Sequence, residues 1–226
     1  TRDAVDTEFE FEGRKYVLVD TAGLRRKYKV HEDIEFYTNL RATRAIENCH
    51  VAVLLVDAYE GVTGQDQRIL EQILSSRRSA VLVINKWDLI EKDQNTADKF
   101  TKAIKKVLAR QSFLPVVYVS ALSGQRLHKI LQLAAQVYDE SRRRITTGEL
   151  NRFLVEVIAK RQPPAKEGKH IKLHYITQTE IEPPTFLIFC NHPKLVDKSY
   201  INYIINQLRE QFGFAGVPVR VKFKRK

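Results

Sequence analysis

Methionine is absent from all 226 residues, cysteine occurs twice and tryptophan once. A chain without Met that opens mid-pattern on TRDAVDTEFEF reads as a fragment, with something needed for function lying upstream. Cys49 and Cys190 are far apart in apolar contexts, where cysteine acts as a small core hydrophobe rather than as a disulfide or metal ligand. The six histidines show no ligand spacing, so no structural metal is expected. No stretch approaches the roughly 20 apolar residues of a membrane span, and no apolar segment follows a basic start. A soluble, cytoplasmic protein that makes no membrane contact is the expectation.

With 43% hydrophobic and 29% charged residues, the chain can bury one substantial core, or one core and a small second one. Its net charge of +11 is unevenly placed. Residues 1–145 carry 24 Lys+Arg against 20 Asp+Glu, while residues 146–226 carry 14 against 7. An excess of +7 in the shorter part suggests a polyanionic partner, the plainer alternative being a solvated basic surface.

Strand and helix patterns alternate along the first part. TEFEFEG and KYVLVD predict a hairpin, and a helical stretch from about Asp33 to Asn48 precedes the strand VAVLLVDA. Helices are then expected over 65–76, 95–110 and 125–144, with strands over 79–85 and 115–119. The expected fold class is α/β, a doubly wound and mostly parallel sheet. After DESRRRITTGE the rhythm changes to αββαβ, so a smaller second domain is expected to begin near Ile145. In its last strand Val217, Val219, Val221 and Phe223 should face a core, and Arg220, Lys222 and Lys224 should face out, continuing into Arg225 and Lys226.

Three polar stretches follow apolar strands, where such sheets bind ligands. In VLVINKWDLI, Asp88 can accept two parallel hydrogen bonds from the ring N–H and amine of guanine, a pair adenine does not offer. The Lys86 stem can lie along the base, and the Asn85 amide can tie this loop to its neighbours. In LVDTAG, Asp20 suits a water-mediated hold on magnesium at nucleotide phosphates. Thr21 and Ala22 follow it, and the Gly23 N–H can approach a terminal phosphate. In VYVSALSG, Ser120, Ala121 and Leu122 form a third loop, whose Ala121 N–H can donate to the guanine keto oxygen.

DTAG, NKWD and SAL resemble the switch II, guanine-specificity and base-loop motifs of translation-factor-class GTPases. The opening TRD resembles the end of a GTTRD switch I motif. DTAGLRRK, VDAYEGVTGQDQRI, NKWD, YITQTEIEPPTF and QFGFAGVPVRV together resemble the bacterial double-GTPase family Der, also called EngA, over nearly the whole chain. The resemblance implies that residues 1–145 are the second of two GTPase domains, in the P-loop fold but N-terminally truncated, and that residues 146–226 are a KH-like domain. It implies GTP and GDP as ligands with Mg2+ held through Thr1 and Asp20, hydrolysis at the phosphate faced by Gly23, and a role in assembling the large ribosomal subunit. Ribosomal RNA, that subunit and an upstream first GTPase domain are the implied partners.

Three departures qualify the resemblance. The phosphate-cradling GxxxxGK[ST] loop does not occur in the sequence, so this chain alone is expected to be inactive. Leu24 stands where Ras-like GTPases orient water with glutamine, which implies slow intrinsic hydrolysis. The GXXG match of the C-terminal part, Gly213-Phe214-Ala215-Gly216, lies between a helix and a strand and reads as a turn rather than an RNA clamp. The basic loop Arg25, Arg26, Lys27 and Lys29 fits a switch contacting RNA as well as it fits a plain solvated loop. Two hypotheses follow: a GTP-hydrolysing switch whose nucleotide state sets the docking of the KH-like domain on RNA, or an RNA-binding module whose GTPase half is a non-hydrolysing scaffold.

Overall fold

A computed structural model describes residues 6–19, 43–91 and 95–226. Strands β1 (Asp6–Phe11) and β2 (Arg14–Val19) pair antiparallel. Their connection, Glu12-Gly13, takes φ of 49° and 74°, the doubly left-handed turn that a right-twisted two-residue hairpin needs. Phe9 and Tyr16, opposite each other in register, stack at 5.3 Å.

Residues 43–48 are helical and lead into β3 (Val51–Asp57). Helix α1 (Gly64–Ser75) follows, opened by a reciprocal Thr63/Asp66 capping box, and then β4 (Ser79–Asn85). Next come α2 (Thr96–Val107), β5 (Val116–Tyr118) and α3 (His128–Arg142). The three strands form a parallel sheet in the order β3-β4-β5. Central β4 is buried from Ser79 to Ile84, as its unbroken apolar run requires. Helix α2 is shorter than its expected span because a 3-10 turn over Ala109–Gln111 takes the end, and α3 begins three residues late, after the 120–127 loop. The expected helix from Asp33 lies largely outside the described residues.

The second part runs α4 (Thr147–Lys160), β6 (Leu173–Glu180), β7 (Thr185–Cys190), α5 (Lys198–Phe212) and β8 (Arg220–Arg225). Thr146 and Glu149 form a second capping box at the start of α4. The sheet order is β6-β7-β8, with the first pair antiparallel and the second parallel. The fold class is therefore α/β, with a three-stranded parallel sheet and a separate three-stranded mixed sheet in the shorter second part, as the pattern predicts. Cys49 and Cys190 are free thiols. No helix among the described residues is long and apolar enough to cross a membrane.

The two sheets share a core. Alternate β4 residues point opposite ways: Ala80, Leu82 and Ile84 pack with α1 and α2, while Val81 and Val83 pack with Val117, Val119 and Val137. That second cluster continues into Leu150, Phe153, Ile176, Phe186, Ile204 and Phe214 of the other half. The expected domain boundary therefore carries no break in apolar packing. At the linker, buried Gln178 accepts from the Ile145 N–H at 2.9 Å and donates to the Arg143 carbonyl at 2.9 Å, stitching it to β6.

The GXXG stretch makes the junction. It is a turn between α5 and β8, with Phe214 and Val217 fully buried. Gly216 donates to the Phe113 carbonyl at 2.9 Å and accepts from the Ala80 N–H at 2.8 Å, so its backbone extends the edge of the first sheet. Its φ is +73°, and a Cβ there would lie 2.8 Å from the Ala80 oxygen, so only glycine fits. Arg209 stacks over Phe113 at 3.6 Å and donates to the carbonyls of Phe214 and Val217 at 2.6 and 2.7 Å. Burial pushes its guanidinium down to about 10, which leaves it charged at neutral pH.

Candidate nucleotide-binding edge

The chemistry-bearing residues within the described set gather at the carboxyl ends of β3, β4 and β5, the edge where parallel sheets bind ligands. Asn85 closes β4. Its side-chain oxygen accepts from the Ala121 N–H at 2.9 Å, and its backbone oxygen accepts from the Ala58 N–H at 2.9 Å. One residue thus joins three strand ends. The Ala121 N–H, expected to meet a guanine keto oxygen, is committed to Asn85 instead. Its use on a base requires that bond to be shared or exchanged.

Lys86 takes φ 61°, a left-handed turn that re-aims the chain after the strand. Its ammonium meets the Asp57 carboxylate at 2.6 Å; the Lys86 side chain is 56% exposed and that of Asp57 11%. The hydrogen bond from Lys86 is the main reason the Asp57 carboxyl is held below the usual carboxylate range, against the opposing effect of desolvation. Asp57 also accepts from the Tyr59 N–H at 2.9 Å. Sequence reasoning missed Asp57, although an acid closing an apolar strand is the same signal that singled out Asp20.

Trp87 is the anchor of the loop. It is 4% exposed, packs edge-on against Phe100 at 5.1 Å and tilted on Tyr118 at 4.3 Å, and its backbone N–H reaches the Val119 carbonyl at 3.0 Å. Burying an aromatic of this size is worth about 2–3 kcal/mol, which fixes the backbone on either side. Asp88 comes next and is exposed; the cap position of the short turn Trp87–Leu89 belongs to Lys86, so Asp88 does not cap it. Ser120 is fully buried, and its hydroxyl accepts from the Ser123 N–H at 3.2 Å, shaping the third loop. Leu122 is 91% exposed.

Thr1, Asp20, Thr21, Ala22 and Gly23 lie outside the described residues, as do Leu24 and the basic loop Arg25 to Lys29. On β8, Val221 and Phe223 pack against the shared core while Lys222 and Lys224 are exposed. Lys222 pairs with Glu180 at 3.0 Å.

The profile of the family described as "Elongation factor Tu GTP binding domain" matches residues 1–140. A second, "KH-domain-like of EngA bacterial GTPase enzymes, C-terminal", matches residues 144–224. A protein named GTPase Der from Caldanaerobacter subterraneus subsp. tengcongensis is 44% identical over 226 residues, covering 100% of this chain and 52% of that protein. Another GTPase Der, from Thermoanaerobacter sp. strain X514, is 45% identical over the same shares. The chain thus spans about half the length of the curated relatives it matches. Among solved structures, Era in complex with MgGDPNP and nucleotides 1506–1542 of 16S ribosomal RNA superposes with a TM-score of 0.51 at 19% identity, covering 100% of this chain and 81% of that one. At that identity the likeness speaks to the fold.

Proposed function

The chain belongs to the elongation factor Tu GTP-binding-domain family, and from that premise we propose that it forms part of a GTP-hydrolysing switch in assembly of the large ribosomal subunit. Residues 1–145 are the nucleotide-binding unit and residues 146–226 the docking unit, working in the cytoplasm. One observation carries the reading: Asn85 fastens the β4 loop to the 120–124 loop, while buried Trp87 holds Asp88 out as an exposed carboxylate beside the Lys86 stem. An exposed carboxylate on a fixed stretch of backbone supports a guanine-edge reading, because its two acceptor oxygens are available without refolding the loop.

In this reading Asp88 accepts from the base, Lys86 covers its face, and Asn85, Ser120, Ala121 and Leu122 shape the slot. Asp20 through Gly23 serve the phosphates, with Gly23 offering its N–H to the reacting one. Thr1 and Asp20 would hold magnesium, which when bound would neutralise charge on the phosphates. The phosphate grip comes from a further segment of the polypeptide. In support, β3 has one sheet neighbour among the described residues, so its other backbone edge has room for a further strand. The basic outer side of β8 docks ribosomal RNA.

The test is Asp88→Asn in a polypeptide that includes the phosphate grip. Asparagine keeps one acceptor but points a donor at the guanine amine, while xanthine offers a keto oxygen at that place. The preference between GDP and XDP should swing by roughly 3 kcal/mol, at least a hundredfold in affinity ratio. Equal losses for the two nucleotides, or none, would sink the assignment.

A further inference from the structure

Among the described residues, the three-stranded sheet of the second half has helices and core on one side only. Ile176, Phe186 and Ile188 point into that core, with Val221 and Phe223 packed against it, whereas Leu187 and Phe189 are absent from it. The register sets the opposite face in cross-strand rows: Tyr175 beside Phe189 beside Lys224, and Thr177 beside Leu187 beside Lys222. A register irregularity between Leu173 and Tyr175 turns the chain, so that Leu173 packs inward while Tyr175 stands 41% exposed. The Tyr175 and Phe189 rings lie 6.0 Å apart at 49°, with the exposed Lys224 opposite Phe189 on the next strand.

An aromatic pair flanked by lysines on an open sheet is poor material for a protein contact, because interface cores are depleted in lysine. It suits a nucleic-acid strand. We propose that this face is a stacking platform for single-stranded RNA: Tyr175 and Phe189 receive unpaired bases, and Lys222 and Lys224 hold the phosphates on either side. Same-face residues two apart on β8 are roughly 7 Å from each other, of the order of one nucleotide step in an extended strand. A duplex hides its base faces and gives the rings nothing to stack on. Glu180, the acid that reaches this face, is paired with Lys222, so a phosphate approaching the row must compete with that bond. The proposal rests on the RNA-docking reading above and specifies its mode.

The test uses the whole chain and a labelled short oligouridine, with an abasic oligomer of equal charge and a duplex as comparisons, read by fluorescence anisotropy. Tyr175→Thr preserves strand character and removes the ring; it should weaken oligouridine binding about fivefold or more and leave abasic binding and the salt slope unchanged. Tyr175→Phe should restore wild-type affinity. Lys222→Gln and Lys224→Gln should each lower the magnitude of the log-salt slope by about 0.7. If the lysine changes act while Tyr175→Thr does not, or if abasic and normal oligomers bind alike, the stacking mode is overturned and RNA docking stands. If the wild-type chain binds no oligonucleotide, both are overturned and the face belongs to a protein.

Discussion

Replacing Gly216 by alanine tests how tightly the two sheets are joined. Two separate costs arise at this residue. A φ of +73° in a residue with a Cβ costs about 1–2 kcal/mol. The new methyl would also lie 2.7 Å from a Val137 methyl and 2.8 Å from the Ala80 carbonyl oxygen, and that carbonyl is held by β4 and cannot rotate away. Overpacking of this kind adds about 1–3 kcal/mol, for an expected loss of about 2–5 kcal/mol. Gly124 separates the two costs, since it has the same φ of +73° with nothing within 4 Å of an added methyl, so Gly124→Ala should show the backbone cost alone. Urea unfolding of the chain, followed by Trp87 emission and by far-UV circular dichroism, measures both variants against wild type. The two signals should move together, because the shared core couples the halves. If Gly216→Ala destabilises no more than Gly124→Ala, the close approach at the junction has been misread.

Arg209→Met keeps the apolar stem but strips the donors from the carbonyls of Phe214 and Val217; thermal unfolding should show a loss of about 2–5 kcal/mol, with Arg209→Lys intermediate because one ammonium cannot span both oxygens. Asp139, joined bidentately to Arg14 at 2.7 and 2.9 Å, has its carboxyl held below the usual range chiefly by that hydrogen bond. A lowered carboxylate stabilises the fold above its unfolded value near pH 4 and loses that contribution as pH falls through the lower folded value. Asp139→Asn should therefore flatten the acid limb of the stability curve below about pH 4 in an acid titration, and cost under about 1 kcal/mol at pH 7 because both ends are about half exposed. Asp57→Asn, measured by GDP competition in the nucleotide-competent polypeptide, should weaken binding severalfold by releasing Lys86 while leaving the guanine-over-xanthine preference intact.

Local signals carried most of the fold. The run from Val81 to Ile84 reads as a doubly covered strand, and the alternation in β8 separated Val221 and Phe223 from Lys222 and Lys224. The three polar loops were visible because each follows an apolar strand directly. What escaped was long-range. Arg209 reads as an ordinary charge on an amphipathic helix, and nothing in its neighbourhood announces Phe113 as its partner. Gly216 and Ala80 lie far apart in the chain, and a pairing of backbone groups leaves no periodic trace in side chains. The Lys86–Asp57 pair failed for a related reason: parallel neighbours are joined through a helix, so sequence spacing does not say which strand ends face each other.

Because β4 serves two cores at once, the order of synthesis leaves it half covered. Its Val81 and Val83 side chains emerge from the ribosome long before Phe214 and Val217, the residues that complete the packing on that face. From Val83 to Gly216 is a separation of 133 positions, which at about 5–20 residues per second amounts to roughly 7–27 s of translation. Throughout that interval the nascent first half carries an apolar stripe along the middle strand of its sheet, and holding it soluble falls to α3, which brings Val137 onto the stripe, and to whatever cellular chaperone is nearby.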